Sequence, residues 1–170
     1  MSAPEASSSV GDRRIDGQPA FAQAISETLR AAAERGDPEL WLCDRDFAAW
    51  PLGARDVVDS FNQWVLNTRQ ARCVLVASSF DELPRQHARW VAWRQPWAHR
   101  VACLQVPEEL AVDLPCLLLA GQGHVVEVFD TEHWRGVSCQ DPVRGAQARD
   151  RLDAISQRSG EALPPTTLGL

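Results

Sequence analysis

Four polar residues of this sequence have the types and positions that acid–base or anion-binding chemistry would need. Asp44 and Ser79 follow two predicted strands, and His87 and Arg89 lie in the first turns of the next predicted helix. An imidazole near carboxylates can exchange protons close to neutral pH, and an arginine can hold a phosphate through parallel hydrogen bonds. We therefore expect Asp44, Ser79, His87 and Arg89 to line a pocket for a small anionic ligand. The alternative is structural: Asp and Ser cap helices, and His87 bonds a loop carbonyl.

The most unusual stretch is Arg85 to Arg100, which holds four Arg, two His, three Trp and no acidic residue. Arginine combined with aromatic rings is typical of surfaces that bind single-stranded nucleic acid, through phosphate contacts and base stacking. The tryptophans, however, are spaced i, i+3, i+7, which places Trp90, Trp93 and Trp97 on one helical face if the helix continues past Pro96. That spacing favours core packing first and a self-association surface second, because Trp is enriched at interface hot spots. Nucleic acid comes third.

The composition excludes several enzyme classes. The chain has a formal net charge of −6, and all seventeen of its basic residues are Arg. Without lysine it cannot have a P-loop lysine, a Schiff-base lysine, a kinase-type lysine or the H-x-K motif of phosphodiesterases. The negative charge also argues against a protein built to coat nucleic acid.

The cysteines and the apolar runs bear on metal binding and compartment. The five cysteines are widely spaced, without a C-x-x-C pair, so we expect no structural zinc site. Asp130 and His133 could bind a metal weakly, but two ligands do not make a site; we expect no metal and no cofactor. An odd number of cysteines without an export signal indicates reduced thiols in the cytoplasm. Because no run approaches the length of a membrane-spanning segment, we also expect no membrane partner.

The periodicity of apolar residues predicts one domain over residues 21–158, between a disordered tail at 1–20 and an extended tail at 159–170. It predicts helices over residues 19–35, 54–69, 84–94 and 142–157, and strands over residues 40–43, 72–77, 100–106, 115–120, 124–129 and 134–139. Strand and helix alternate in the first half, which implies parallel pairing, whereas the second half is typical of an antiparallel meander. The predicted fold class is α/β, a three-layer mixed sheet with helices on both faces.

Local segments spread over most of the chain match the pattern of a known domain family. They are residues 40–44 and 74–77, His87 at the start of its helix, the run PCLLLAGQGHVVEVF at 115–129, the tripeptide at 135–137, and the last helix with its tail SGEALPPTTLGL. Over residues 22–170 the chain resembles a phospholipase-D-like domain of unknown function from proteobacteria, which often follows a GNAT-type acetyltransferase. The resemblance implies a phospholipase-D-like fold and, because such domains commonly pair, a homodimer.

The residues that make active phospholipase D catalytic are missing from this sequence. Active members carry the motif H-x-K-x4-D, and the best register puts Leu114, Cys116 and Gly121 at its His, Lys and Asp positions. The downstream G-S-x-N motif would fall near residues 130–133 and is also absent.

The resemblance therefore implies a non-catalytic domain with a binding, regulatory or scaffolding role. Suitable partners are a second copy of the chain, another protein or a small anionic ligand, whereas the negative charge makes nucleic acid a less suitable one. Two alternatives stay open. One is a hydrolase or phosphodiesterase that uses His87 with nearby carboxylates, and the other is a nucleic-acid accessory protein that uses the stretch Arg85 to Arg100.

Overall fold

A computed structural model describes residues 12–163 of the chain, and these residues contain eight strands and five α-helices. The strands are β1 (Arg13–Asp16), β2 (Glu39–Cys43), β3 (Arg72–Ala77), β4 (Val101–Gln105), β5 (Cys116–Ala120), β6 (His124–Asp130), β7 (Arg135–Gln140) and β8 (Gly160–Glu161). The helices are α1 (Gln18–Arg35), α2 (Arg55–Asn67), α3 (Glu82–Gln86), α4 (Ala88–Arg94) and α5 (Pro142–Gln157). Short 3-10 helices lie at Gln95–Trp97 and Glu108–Asp113. Within residues 12–163, no helix combines the length and the apolar character needed to cross a membrane.

All eight strands belong to one sheet, in the order β1-β7-β6-β5-β2-β3-β4-β8. β2, β3 and β4 are parallel neighbours, because helices carry the chain back to the same end of the sheet after β2 and after β3. β5, β6 and β7 form an antiparallel meander, and β5 joins it to β2. The predicted parallel pairing of the first half and the meander of the second half are both confirmed.

Helices cover both faces of the sheet, so the predicted three-layer architecture is confirmed. On one face α1, α2 and α4 bury side chains such as Leu29 and Trp64, and on the other α5 and the 3-10 helix Glu108–Asp113 pack against the strands. Successive residues of β3 belong to different clusters, Leu75 to the first and Val76 to the second, since neighbouring side chains of a strand point to opposite faces. This burial on both faces explains why β3 is an uninterrupted apolar run in the sequence.

Local residue types set two of the helix ends. α1 ends at Gly36, whose φ of 68° is the left-handed conformation that glycine adopts most easily. α5 begins after Asp141, whose carboxylate accepts the N–H groups of Val143 and Arg144. Val143, an apolar residue in the first turn of α5, is 66% exposed. The inward position of that first turn is held by Gly145, which contacts the backbone of the β5–β6 turn.

The structure places strands inside both predicted tails. β1 lies within the segment 1–20, pairs with β7 and buries Ile15, and α1 also begins there. β8 lies within the segment 159–170 and pairs with β4. Each of these strands is short and buries little, so no periodic apolar pattern marks it; pairing with a distant strand stabilises it instead. The remaining parts of the predicted tails, 1–11 and 164–170, lie outside the described residues.

Candidate functional site

The residues predicted to form an anion pocket surround the loop over residues 44–54, which connects β2 to α2. Because β2 and β3 are parallel neighbours, the segment that follows β3 lies beside this loop. Ser79 belongs to that segment, and its backbone N–H bonds the carbonyl oxygen of Arg45 at 3.2 Å. Asp44 is part of the loop. His87, the residue before α4, and Arg89, in the first turn of α4, both form hydrogen bonds with Gly53 of the loop.

His87 is buried, and both of its ring nitrogens are hydrogen-bonded to the backbone of the 44–54 loop. Nδ1 accepts the N–H of Gly53 at 3.0 Å, so the ring proton is on Nε2, which donates to the carbonyl oxygen of Phe47 at 2.8 Å. His87 also leaves the helical conformation, so the helix predicted over residues 84–94 is instead two helices, α3 and α4. The two bonds leave neither ring nitrogen for a ligand or a proton transfer.

Asp44 is buried, and its carboxylate also bonds to the loop backbone. It accepts the N–H of Phe47 at 2.9 Å and that of Asp46 at 3.3 Å. Burial raises the pKa of Asp44, and the hydrogen bonds from the two amides partly oppose this rise. The carboxylate therefore acts as a local turn acceptor, in the way that Asp side chains commonly do.

Ser79 and Arg89 direct their polar atoms at backbone groups as well. Oγ of Ser79 accepts the N–H of Asp81 at 3.2 Å, and the exposed Arg89 donates from Nη1 to the carbonyl oxygen of Gly53 at 3.2 Å. The structure thus brings the four predicted residues together around one loop. In this arrangement their hydrogen bonds hold the backbone in place.

The residues that the sequence register assigns to the phospholipase D catalytic motif, Leu114, Cys116 and Gly121, lie near the two ends of β5. β5 is antiparallel to β2, so Cys116 lies at the end of β2 and beside Asp44. Burial raises the pKa of the Cys116 thiol, and the Asp44 carboxylate raises it further, so the thiol stays protonated and is a poor nucleophile. Leu114 packs against the hydrophobic cluster under α5, and Gly121, with φ 61°, forms the β5–β6 turn.

The three tryptophans predicted as an interface all pack toward the core, Trp90 and Trp93 from α4 and Trp97 from the 3-10 helix that follows it. Trp90 is fully buried, edge-on to Phe61 with ring centroids 6.0 Å apart. Trp93 packs on the same ring at 5.2 Å and donates from Nε1 to Oδ1 of Asn62. Trp97 is half-buried in the 3-10 helix after α4. Trp90 therefore belongs to the core and cannot form an interface, whereas Trp93 and Trp97 keep part of their surface accessible.

The arginines of the stretch from residue 85 to residue 100 do not form a uniform basic surface. Arg94 is buried, and its Nε and Nη2 donate to the carbonyl oxygens of Val101 and Leu163, both at 2.8 Å. It ties α4 to β4 and to the segment after β8. Arg85 is exposed and lies 3.5 Å from a carboxylate oxygen of Glu82.

The structure contains a polar cavity that the sequence did not predict, and we call it the α1–β7 cavity. It has a volume of about 500 Å³ and lies between α1 and the sheet edge formed by β1, β7 and the start of β6. Its polar lining includes Arg13 from β1, Glu27, Thr28 and Arg35 from α1, His124 from β6 and Gln140 from β7. Because these residues come from two distant parts of the chain, 13–35 and 124–140, no local motif marks them.

His124 lines this cavity, and one of its ring nitrogens has no hydrogen-bond partner within residues 12–163. Its Nε2 lies 3.2 Å from Oγ1 of Thr28, but its Nδ1 is buried and has no hydrogen-bond partner within residues 12–163. Burial lowers the pKa of His124, and the Arg35 guanidinium lowers it further, whereas Asp37 opposes the shift. The ring is therefore neutral at neutral pH.

Two arginines of the cavity are each held by one carboxylate. Nη1 of Arg13 lies 2.7 Å from Glu27, and Arg35 makes two bonds to Asp37, at 2.7 and 3.3 Å. The amide of Gln23 lowers the pKa of Glu27, and Arg13 lowers it too, so this carboxylate is ionised at neutral pH. A guanidinium has five N–H donors, so each arginine keeps donors beyond those that bind its carboxylate.

Asp130 and His133, the pair considered for a metal, bond to each other in the β6–β7 turn. Nδ1 of His133 lies 2.9 Å from Oδ2 of Asp130, and this hydrogen bond lowers the pKa of the Asp130 carboxyl. Within the part of the chain that the structure describes, no three His, Cys, Asp or Glu side chains are grouped so that they could hold a metal ion.

Comparison with solved structures shows that this chain has a known fold. No protein-family model matches the sequence, and no curated protein matches it. The structure is similar to that of Nuc, a phospholipase D family member from Salmonella typhimurium, with a TM-score of 0.58 and 8% identity over 89% of this chain and 99% of Nuc. The chain has a phospholipase-D-like fold. The resemblance in the sequence is thus confirmed at the level of the fold.

The phospholipase-D-like fold of this chain is also similar to part of TrmBL2, an archaeal chromatin protein with a novel mode of DNA binding. The TM-score is 0.63 and the identity 12%, over 94% of this chain. The chain spans 57% of the length of the TrmBL2 chain. At such identities the similarity concerns the fold, because one fold serves many functions.

Proposed function

We propose that this chain is a non-catalytic phospholipase-D-like domain with a binding, regulatory or scaffolding role. The observation that carries the proposal is the set of side chains at the catalytic motif. Leu114 and Cys116 stand where active members have the nucleophilic His and the phosphate-binding Lys, and Gly121 stands where they have Asp. A leucine cannot attack phosphorus, and a buried, protonated thiol cannot neutralise a phosphate oxygen.

The bonding of His87 supports the same proposal against the hydrolase alternative. A general base needs a ring nitrogen within hydrogen-bond reach of the proton that it removes. In this chain Nδ1 of His87 is bonded to Gly53 and Nε2 to Phe47. Catalysis by His87 would first require the 44–54 loop to release both bonds.

A phosphodiester assay tests the proposal directly. We expect the purified chain to release no p-nitrophenol from bis(p-nitrophenyl) phosphate above the buffer blank. Release that rises with protein concentration would overturn the proposal. Release lost in His87→Asn and kept in His99→Asn, an exposed histidine, would replace the proposal with the hydrolase alternative. Circular dichroism of both variants confirms that each is folded.

A second candidate function is nucleic-acid association, and the similarity to TrmBL2 favours it. The stretch from residue 85 to residue 100 still offers the exposed Arg85 and Arg89, although Arg94 is bonded to backbone carbonyls inside the protein. A protein that uses arginines on phosphates binds less tightly as salt is added, because counterions are released on binding.

Fluorescence anisotropy of short labelled single- and double-stranded DNA, in a series of salt concentrations, distinguishes the two candidates. We expect no binding at low salt if the first proposal is correct. Binding whose salt slope falls by about 1 in Arg85→Gln or Arg89→Gln would instead favour nucleic-acid association. Arg69→Gln, an exposed arginine outside the stretch, is the matched control.

Self-association as a homodimer is the scaffolding form of the proposal. Trp93 and Trp97 supply its accessible aromatic surface. We also propose a cytoplasmic location, where thiols stay reduced; the five buried, unpaired cysteines support it. Sedimentation velocity should show a mass that rises with concentration, and Trp97→Ala should return the chain to a monomer. A wild-type monomer at high micromolar concentration would contradict self-association.

A further inference from the structure

We infer that the α1–β7 cavity binds a small organic anion, one that carries a phosphate or carboxylate group. The inference rests on the proposed binding function and gives it a site distinct from the four residues that the sequence suggested. The volume of the cavity, about 500 Å³, lies within the usual range of small-molecule sites. Its residues come from secondary-structure elements, which hold a site more rigidly than loops do.

The charges of the lining favour an anion. Arg13 and Arg35 supply two guanidiniums to the lining and Glu27 supplies one carboxylate, while Asp37 bonds to Arg35 from outside the lining. Each arginine is already oriented by its own ion pair, so little side-chain freedom is lost when a ligand binds. The planar guanidinium matches the geometry of both phosphate and carboxylate oxygens, which explains why either group would suit this site.

His124 is the observation that points to a ligand rather than to a surface ion-pair network. Buried polar atoms without a hydrogen-bond partner are rare in folded proteins, and Nδ1 of His124 is one of four such side-chain atoms within residues 12–163, and the one that belongs to a residue lining this cavity. When the Thr28 hydroxyl donates to Nε2, the ring proton lies on Nδ1 and can be donated to an anionic oxygen. Because Nδ1 has almost no accessible surface, a ligand in the cavity would supply the missing acceptor only after the ring turns toward it.

The other lining groups suit the uncharged part of such a ligand. Ser138 and Gln140 on β7 present a hydroxyl and an amide, which can bond to ligand hydroxyl groups. Ala31 on α1 adds a small apolar surface for a carbon skeleton. The site therefore fits a hydroxylated metabolite with an anionic end better than it fits an inorganic ion alone.

Thermal unfolding of the full chain provides the first test. The probes are ribose 5-phosphate and citrate, with ribose as the uncharged match and sodium chloride at equal ionic strength as the salt control. We expect at least one probe to raise the midpoint by roughly 5 °C or more at about 100 times its dissociation constant. Neither ribose nor sodium chloride should do so, and the probe that acts distinguishes phosphate from carboxylate.

Two matched variants assign the effect to the cavity. Arg35→Gln removes one guanidinium of the lining, whereas Arg30→Gln removes the same charge from an exposed position of the same helix that does not line the cavity. Calorimetric titration of the active probe should show roughly tenfold to hundredfold weaker binding in Arg35→Gln. In Arg30→Gln the affinity should remain that of the wild type.

Two results would overturn the assignment: no shift with either probe, or the same affinity in Arg35→Gln as in the wild type. A shift of equal size with ribose would overturn the anionic class. Phosphodiester turnover would overturn the proposed non-catalytic role and leave the cavity untouched, so the two failures are distinguishable.

Discussion

The 44–54 loop and the α1–β7 cavity both gather polar side chains, but they use them in opposite ways. Around the loop, His87 and Asp44 are bonded to backbone N–H and C=O groups. Around the cavity, one ring nitrogen of His124 has no partner among the described residues, and two arginines have N–H donors beyond those that bind their carboxylates. Both regions contain a histidine and an arginine, yet the loop histidine has both ring nitrogens bonded, whereas the cavity histidine has one bonded within residues 12–163.

The difference shows that residue type and position at a strand end do not by themselves identify a binding site. A buried histidine with both nitrogens bonded stabilises the fold, whereas one with an unsatisfied nitrogen costs stability unless something binds it.

The largest effect should come from His87→Ala. The change leaves the Gly53 N–H and the Phe47 carbonyl without their partner and opens a hole under the loop. We expect the free energy of unfolding to fall by about 3 kcal/mol, measured by urea denaturation. His133→Ala, at an exposed histidine, should stay within about 0.5 kcal/mol of the wild type. A small loss at His87 would mean that the two regions do not differ as described.

Gly145→Ala should have the next largest effect. A Cβ at this position would lie 2.6 Å from Cα of Gly123 and 2.8 Å from the carbonyl oxygen of Gln122. Because backbone must move to admit it, we expect a loss of about 2 kcal/mol in the same denaturation experiment. Since this turn leads directly into His124, probe binding in the cavity should weaken too. In Gly160→Ala the new Cβ meets nothing within 4 Å, so unchanged stability is the control.

His124→Ala should lower the free energy of unfolding much less than His87→Ala does. Only one ring nitrogen of His124 is bonded, to Thr28, and the ring is partly exposed. Removing it also removes the unsatisfied Nδ1, which offsets part of the loss. We expect less than about 1 kcal/mol by urea denaturation. A loss as large as that of His87→Ala would show that His124 is structural and would weaken the case for a ligand.

Asp44 should reveal itself in the pH dependence of stability. Burial raises the folded-state pKa of Asp44. Its stabilising contribution to the free energy of unfolding is therefore fully present below the ordinary carboxyl pKa and is lost as the pH rises through the raised value. Asp44→Asn removes this titration and keeps an acceptor for Phe47. The stability of the wild type relative to the variant should therefore fall as pH rises above about 4. A relative stability that is flat or rising with pH would contradict the assignment.

The smallest effect is a change in one histidine pKa. The pKa of His124 is lowered by burial and then by the Arg35 guanidinium. Arg35→Gln should therefore move it part of the way back toward the ordinary value, since burial remains. NMR titration of the ring protons measures this shift, with Arg30→Gln as the control that leaves it unchanged. An identical His124 pKa in all three proteins would show that Arg35 does not act on the ring.

The strands that could be predicted from the sequence are those whose residues are buried on both faces of the sheet. β3 and β5 are buried on both faces, so each is a continuous apolar run that can be recognised without its neighbours. β1 and β8 could not be predicted, because β1 buries one side chain, Ile15, and β8 buries none. Their stability comes from pairing with β7 and β4, which a local pattern does not contain.

The candidate site was predictable only in part, for a similar reason. The rule that parallel strands end at one edge of a sheet correctly brings Asp44 and Ser79 to the same loop. That rule cannot show that both ring nitrogens of His87 are hydrogen-bonded to backbone groups. The α1–β7 cavity depends on Arg13, Arg35 and His124, which lie on three different elements, and only the tertiary fold brings them together.

The hydrogen bonds of Arg94 limit how far the chain can be truncated at its C-terminal end. Its bond to the carbonyl of Leu163 holds the segment after β8, and the two residues of β8 cover the outer edge of β4. A shortened chain that stops before Gly160 would present the bare edge of β4 to other molecules and leave a buried guanidinium short of one acceptor. Bare edges of this kind are templates for aggregation. An expression version of the domain should therefore extend at least through Leu163, or its colloidal behaviour will reflect the cut rather than the protein.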